Sequence, residues 1–348
     1  MKIVMVVWCK SDSNQFEKHI PLRFIGLRNK LLGYSNDINL LFIEGYHLID
    51  EEYKGALKDL GYKIHDTSAI YRELSEKYKI LYQFGDYEQK CFLRWLVISK
   101  YFSKDKILHF DGDVVFNECP QTLSEKLKNK TFVLQGCPAL TVVSNTDWYS
   151  IFEENLNLFT QNIQKYSETA WRSKPDWKHA EFTWTGMRDR RIISSDQDLF
   201  RHLLYNKIIC QNTPHEICNE MENYIFFENP LHLEAYNTNQ LPFVYRRIDG
   251  IDFINDKMIA VWHMQSAFYE YCANFIFRKK YLRFYGHHKL RYQDKDMESI
   301  LRDIVTKIFR IECLSRLDVY EYFFKEKDFK ELFSASNWYR QGVFLDTY

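Results

Sequence analysis

The sequence predicts an open, mainly parallel α/β sheet flanked by helices, with a helical extension at its C-terminal end. Three observations carry that prediction. Short β-branched or aromatic runs at residues 3–7, 38–43 and 107–110 alternate with longer helix-like segments, the pattern of βαβ units. The chain has 348 residues, 46% of them hydrophobic, enough to bury one large core. Finally, no apolar run approaches the length of a membrane-crossing helix.

The first run sits in "MKIVMVVWCKSDS". It is too short for a signal sequence and lacks a small-residue cleavage site, so it reads as strand one. Lys plus Arg (47) equals Asp plus Glu (47), which excludes the global basic field expected of a nucleic-acid binder. Eight cysteines are scattered without a CxxC pair, several of them in apolar segments. This is the pattern of reduced core thiols rather than a zinc site, and it implies a reducing, cytoplasmic setting.

Residues 84–102, "FGDYEQKCFLRWLVISKYF", place Tyr87, Cys91, Trp95, Ile98 and Phe102 at helical spacing, so that one face packs on the sheet. Lys90 and Arg94, four apart, share another face. They are either surface side chains with stems lying on apolar neighbours or contacts to an anionic ligand. The next strand, "ILHFDGDVVF", ends in two carboxylates, Asp111 and Asp113. Ionised carboxylates are costly to bury and Asp is depleted in strands, so the pair needs a partner. One reading is a divalent cation, since Mg2+ takes carboxylate and phosphate oxygens and Mn2+ also accepts imidazole. The other is a strand-end turn in which the carboxylates bind backbone N–H groups. In open α/β sheets, ligands lie beyond the carboxyl ends of the strands, which is where "DGD" falls.

Downstream, "TFVLQGCPALTVVS" (131–144) reads as a strand, followed by a polar stretch with few periodic cues. Residues 173–191 read as a loop able to cover a pocket. "RIISSDQDLFRHLLYNK" begins a helix, with Ser194 or Ser195 as N-cap and Leu199, His202 and Leu203 at helical spacing. Asp196 and Asp198 there have an ordinary role as cap and dipole partners. "MIAVWHMQSAF" is a strand ending in His263, and a lone His there is either a hydrogen-bonded core residue or a ligand.

Taken in order, the N-terminal strand, the Arg-bearing helix, "FDGDVVF", "SSDQDLF" and "VWH" resemble the GT-A nucleotide-diphospho-sugar glycosyltransferases, especially the retaining galactosyl/glucosyl-transferase and glycogenin-like group. The ordering covers about residues 1–270, although each motif is short. The resemblance implies a Rossmann-like GT-A domain over 1–272 and a basic, aromatic helical extension over 273–348. It implies Mn2+ or Mg2+ held by Asp111, Asp113 and His263, and a nucleotide-sugar donor, UDP-hexose, contacted by Arg94, Lys90 and Asp111. It also implies a sugar pocket lined by Asp196, Gln197 and Asp198, with Gln197 beneath the anomeric carbon in a retaining enzyme. If the enzyme inverts, one of those Asp residues serves as general base. The family's His is followed by Gly and Lys, whereas "HMQSAFYEY" has neither.

The implied activity is hexosyl transfer to a saccharide or glycoconjugate hydroxyl. Residues 274–293 carry six Lys or Arg among aromatics and no acid. The patch from Arg278 to Arg291 is either a peripheral contact with anionic lipid or a solvated face. Two alternatives stand beside the glycosyltransferase reading. One is a haloacid dehalogenase-like phosphatase with Asp111 as nucleophile. The other is a GT-A-like binding module without turnover.

Overall fold

A computed structural model describes residues 1–133, 138–172, 192–209, 224–226, 245–254, 256–264, 315–321 and 324. Its first half is built from β1 (Lys2–Trp8), α1 (Ser13–His19), α2 (Leu22–Leu31), β2 (Asn39–Glu44), α3 (Glu51–Leu60), β3 (Lys63–Asp66), α4 (Ser68–Lys77), α5 (Asp86–Tyr101) and β4 (Ile107–Phe110). The four strands lie side by side and parallel in the order β3-β2-β1-β4. Ile3 to Val7 and Leu40 to Ile43 are buried without a break. Unbroken burial follows from having helices on both faces, so these strands read as continuous apolar runs rather than alternating ones. The three strands expected from sequence are all present, as is the helix over 84–102.

The sheet then turns antiparallel. After β5 (Val114–Phe116) and α6 (Pro120–Lys126) come β6 (Phe132–Val133) and β7 (Leu140–Val143), which extend the sheet as β4-β7-β6 with both new pairings antiparallel. The single strand expected over 131–144 is therefore two strands that pair antiparallel, with residues 134–137 between them outside the described residues. The polar stretch without an assignment forms α7 (Asp147–Gln161) and α8 (Ile163–Arg172). Its amphipathic signal was present in Trp148, Phe152, Leu156 and Phe159, all buried on one face of α7. Tyr87 departs from the expected buried face of α5: it is exposed and meets Trp8 edge to face at 5.6 Å.

A second, five-stranded sheet adjoins the first, in the order β5-β11-β10-β9, where β9 is Tyr245–Ile248, β10 is Ile251–Ile254 and β11 is Lys257–His263; β8 (Tyr224–Phe226) pairs parallel with β11. Asp249 and Gly250, both at positive φ, make the tight turn between β9 and β10, as an Asp-Gly pair favours. β5 is the run that follows "DGD", so the chain leaves the first sheet at Asp111 and enters the second at Val114.

A buried polar network ties α2 to this second sheet. Arg28 donates to the Phe116 carbonyl at 2.6 Å, to Asn117 Oδ1 at 2.9 Å and to the Gly250 carbonyl at 3.1 Å. Burial lowers the Arg28 pKa to about 10. Asp252 is fully buried and accepts from Arg247 Nε at 2.6 Å and Trp262 Nε1 at 2.8 Å. From the C-terminal region, α10 (Arg316–Glu321; numbered after α9, Asp196–Tyr205) returns to pack against α1. The remainder of 273–348, including the patch from Arg278 to Arg291, lies outside the described residues apart from 315–321 and 324, as does the predicted loop at 173–191. Among the described residues, no helix is long and apolar enough to cross a membrane. Cys9 and Cys91 are buried free thiols, and Cys119 is a partly exposed one.

Removing one partner of a buried ion pair strands the other, so Asp252→Ala should destabilise the fold by about 3–5 kcal/mol in urea unfolding. A loss under about 1 kcal/mol would show that the second sheet does not depend on this network.

Candidate active site at the carboxyl end of the sheet

The aromatic core between α5, α7 and α9 sets the site. Trp95 lies 5.3 Å from Trp148 and 5.1 Å from Phe200, ring centre to ring centre, and Trp148 stacks on Phe152 at 5.5 Å. This packing presses the start of α9 against α5. Ser195 is the N-cap, and its side chain accepts from the Asp198 N–H at 3.1 Å, as the sequence predicts for Ser194 or Ser195.

Arg94 is buried at the centre. Its Nη2 and Nε donate to Asp196 Oδ2 at 2.7 and 3.2 Å, Trp95 Nε1 donates to the same oxygen at 3.2 Å, and Arg94 Nη1 donates to Asp111 Oδ1. Burial opposes the guanidinium charge, but Asp111 and Asp196 outweigh it and raise the Arg94 pKa well above its ordinary value. Burial pushes the Asp111 carboxyl up to about 7; Arg94 pulls it down, while Asp113 and Asp196 push it further up. Beneath them His109, fully buried, meets Trp95 edge to face at 4.7 Å, with its Nε2 3.8 Å from Asp111 Oδ1. Burial, followed by the Arg94 charge, drives the His109 pKa well below its usual value, so the ring is neutral.

Asp113 and His263 come together across the β5–β11 pair, where His263 faces Val114 and the Met264 N–H donates to the Asp113 carbonyl at 2.7 Å. His263 Nε2 is 3.6 Å from Asp113 Oδ1, a buried oxygen that makes no hydrogen bond among the described residues. Arg316 Nη1 approaches the other oxygen, Oδ2, at 3.5 Å. A carboxylate oxygen without a hydrogen bond beside an imidazole nitrogen fits a cation site of the Mn2+ type. Asp111 stands apart from this pair because its Oδ1 is taken by Arg94. Among the described residues, no three His, Cys, Asp or Glu side chains form a ready metal cluster.

The other predicted residues divide clearly. Lys90 is fully buried, its Nζ 2.5 Å from Asp86 and 2.6 Å from Glu44, so this ammonium is paired with two partly exposed carboxylates. Asp196 is committed to Arg94 and Trp95. Asp198, also buried, accepts from the Ser194 N–H at 3.3 Å and the Ser194 hydroxyl at 3.4 Å, the capping role that local pattern allowed. Gln197 is the partly exposed member of the three.

Glu88 was not singled out in the sequence. Burial, with Asp196 and Asp198 adding to it and Arg94 only partly compensating, raises its carboxyl to about 8. The available signal was its seven-residue spacing from Trp95, two helical turns along the face that meets Asp196.

No protein-family model matches the chain, and no curated protein matches it. Among solved structures, the crystal structure of mouse xyloside xylosyltransferase 1 in its apo form is similar over 58% of this chain and 80% of that one, with a TM-score of 0.37 and 12% identity.

Because the Glu88 pKa is higher in the folded chain than its ordinary 4.5, the folded state binds the extra proton between about pH 4.5 and 8. Stability should therefore fall as pH rises through that window. Glu88→Gln, neutral in both states, should remove this part of the slope and melt higher than the parent near pH 8. Melting curves with parallel pH dependence for the two proteins would refute the assignment.

Proposed function

We propose that this chain is a metal-dependent glycosyltransferase that moves a hexose from a UDP-linked donor to a saccharide or glycoconjugate hydroxyl with retention of configuration. The observation that carries this reading is the pairing of Asp113 Oδ1, buried and without a hydrogen bond among the described residues, with His263 Nε2 at 3.6 Å. The pair lies just past the carboxyl end of β4, where an open α/β sheet receives its ligands. A bound divalent cation supplies Lewis-acid neutralisation of the charge on a departing nucleoside diphosphate.

The chain's own residues divide the remaining work. Asp113 and His263 offer an oxygen and a nitrogen to the cation. Arg94 keeps Asp111 and the start of α9 at a fixed separation, and so fixes where Gln197 meets a sugar. Retention is favoured over inversion by Asp196 or Asp198, because a general base must be free to take the acceptor's proton. Asp196 already accepts three N–H groups at one oxygen, and Asp198 is turned back to Ser194. Gln197 is the accessible member of the segment and carries no charge to serve as a base. The phosphatase alternative requires Asp111 as an accessible nucleophile, yet Arg94 holds its Oδ1, and three parallel strands precede β4 in the chain.

A panel of nucleotide sugars with Mn2+, monitored for slow release of free nucleoside diphosphate, tests the reading without an acceptor. Release from one donor, abolished by EDTA and reduced at least about a hundredfold in Asp113→Ala, is the expected result. Donor turnover that persists in EDTA or in Asp113→Ala would sink the metal assignment. A phosphoryl group trapped on Asp111 would transfer the reading to the phosphatase.

A further inference from the structure

The first turn of α5 carries two side chains that neither the core nor the proposed reaction uses. Tyr87 is 60% exposed, although α5 is buried from Gln89 to Ile98. Its ring is braced by Trp8, edge to face at 5.6 Å. Trp8 ends β1 where the register on β2 slips after Val7, an irregularity of the kind that re-aims a side chain beside a functional site. The Tyr87 hydroxyl feels the charges of Asp111, Arg94 and Asp113, so the ring borders the carboxylate pair while much of its surface faces solvent.

Glu88 is the second. Among the described residues its carboxyl makes no hydrogen bond and no ion pair. The acids around it are engaged: Asp86 by Lys10 and Lys90, both at 2.5 Å, Asp111 and Asp196 by Arg94, and Asp198 by Ser194. An acid in a helix's first turn answers the helix dipole, which lowers its pKa, whereas burial, with Asp196 and Asp198, raises this one to about 8. Below that pH the carboxyl keeps its proton and can both donate and accept. The charges acting on Glu88 are those of Asp196, Asp198 and Arg94, without Asp111 or Asp113. The two side chains therefore flank the Arg94 clamp, Tyr87 toward "DGD" and Glu88 toward the start of α9, where Gln197 is partly exposed.

An exposed aromatic face next to a carboxyl without a partner suits a saccharide. The C–H face of a sugar ring lies against an aromatic side chain, and its hydroxyls take either side of a hydrogen bond. A uracil edge, with two carbonyls and one N–H, is matched less well by the neighbouring carboxylate oxygens.

We propose that Tyr87 and Glu88 form a saccharide subsite for the acceptor, with the sugar ring on Tyr87 and one of its hydroxyls on Glu88. The role as acceptor rests on the transferase reading, but saccharide binding does not, so it is measured without donor or metal. Lactose, maltose, cellobiose and xylobiose are titrated into the full chain in EDTA and followed by ligand-observed NMR. At least one should bind the parent, and Tyr87→Ala and Glu88→Ala should each bind it about tenfold more weakly. Glu88→Gln, whose carboxamide also donates and accepts, should stay within about threefold of the parent. UDP, UDP-glucose and UDP-galactose with Mn2+ are the controls and should bind parent and variants alike, which a variant that had lost its shape would not do. No saccharide bound by the parent, equal affinity in the parent and either alanine variant, or a Glu88→Gln as weak as Glu88→Ala would overturn the proposal. So would a Tyr87→Ala that weakens UDP instead of the saccharide, making the ring a nucleobase platform, or a loss confined to the UDP-linked sugars, placing the donor's own hexose there. Saccharide binding without UDP binding in the parent would fail the transferase reading and leave the subsite standing.

Discussion

The buried guanidinium of Arg94, between Asp111 and Asp196, is the interaction on which the site depends. It joins the end of β4 to the start of α9, two segments that meet only in the folded chain. A charge this deeply buried is tolerated only when it is paired and fully hydrogen-bonded, and the two carboxylates meet that condition. The arrangement is held from outside the ion pairs. Trp95, next to Arg94 on α5, donates to the same Asp196 oxygen while its ring packs on Trp148 and Phe200. Core packing and charge pairing therefore enforce the same separation between strand and helix, and distortion of either would be felt by the other.

Around that clamp the chain makes a second junction of a different kind. The "DGD" segment passes from one sheet to the other, and the antiparallel register of β5 on β11 puts His263 beside Asp113. α10 then adds Arg316 to the opposite carboxylate oxygen. The first junction is closed around the buried Arg94 guanidinium, which donates to both of its carboxylates. The second has longer separations, 3.6 Å from His263 and 3.5 Å from Arg316, and its Asp113 Oδ1 is buried and makes no hydrogen bond among the described residues. The two carboxylates of one triplet thus have different partners: Asp111 accepts from Arg94, while Asp113 lies beside His263 and Arg316.

Much of the architecture was legible because it rests on local patterns. The apolar runs of β1, β2 and β4, the apolar face of α5, the Ser195 cap of α9 and the end of β11 at His263 all follow from periodicity and capping chemistry. Less legible were elements whose signal is short or interrupted. β6 and β7 were read as one strand, because a two-residue strand has almost no period to detect. The helices α7 and α8 were missed because many polar residues dilute a sound apolar stripe. The Lys90 side chain, open from sequence between a surface position and a contact to an anionic ligand, instead meets Glu44 at the end of β2 and Asp86 on its own helix.

The sequence by itself determined the fold class, the order of its chemistry-bearing segments and the presence of a carboxylate pair at the end of a strand. These depend on residues close together in the chain, where helix and strand periods dictate geometry. Only the tertiary structure decided which carboxylate is committed to which cation. Arg94 could have served a ligand or the fold, and Asp196 a sugar or a clamp; each outcome depends on distances between segments separated by many residues. Those distances are fixed by how aromatic side chains fill the space between α5, α7 and α9, and by the docking of α10. Close packing is a property of the assembled core, and no local pattern encodes it.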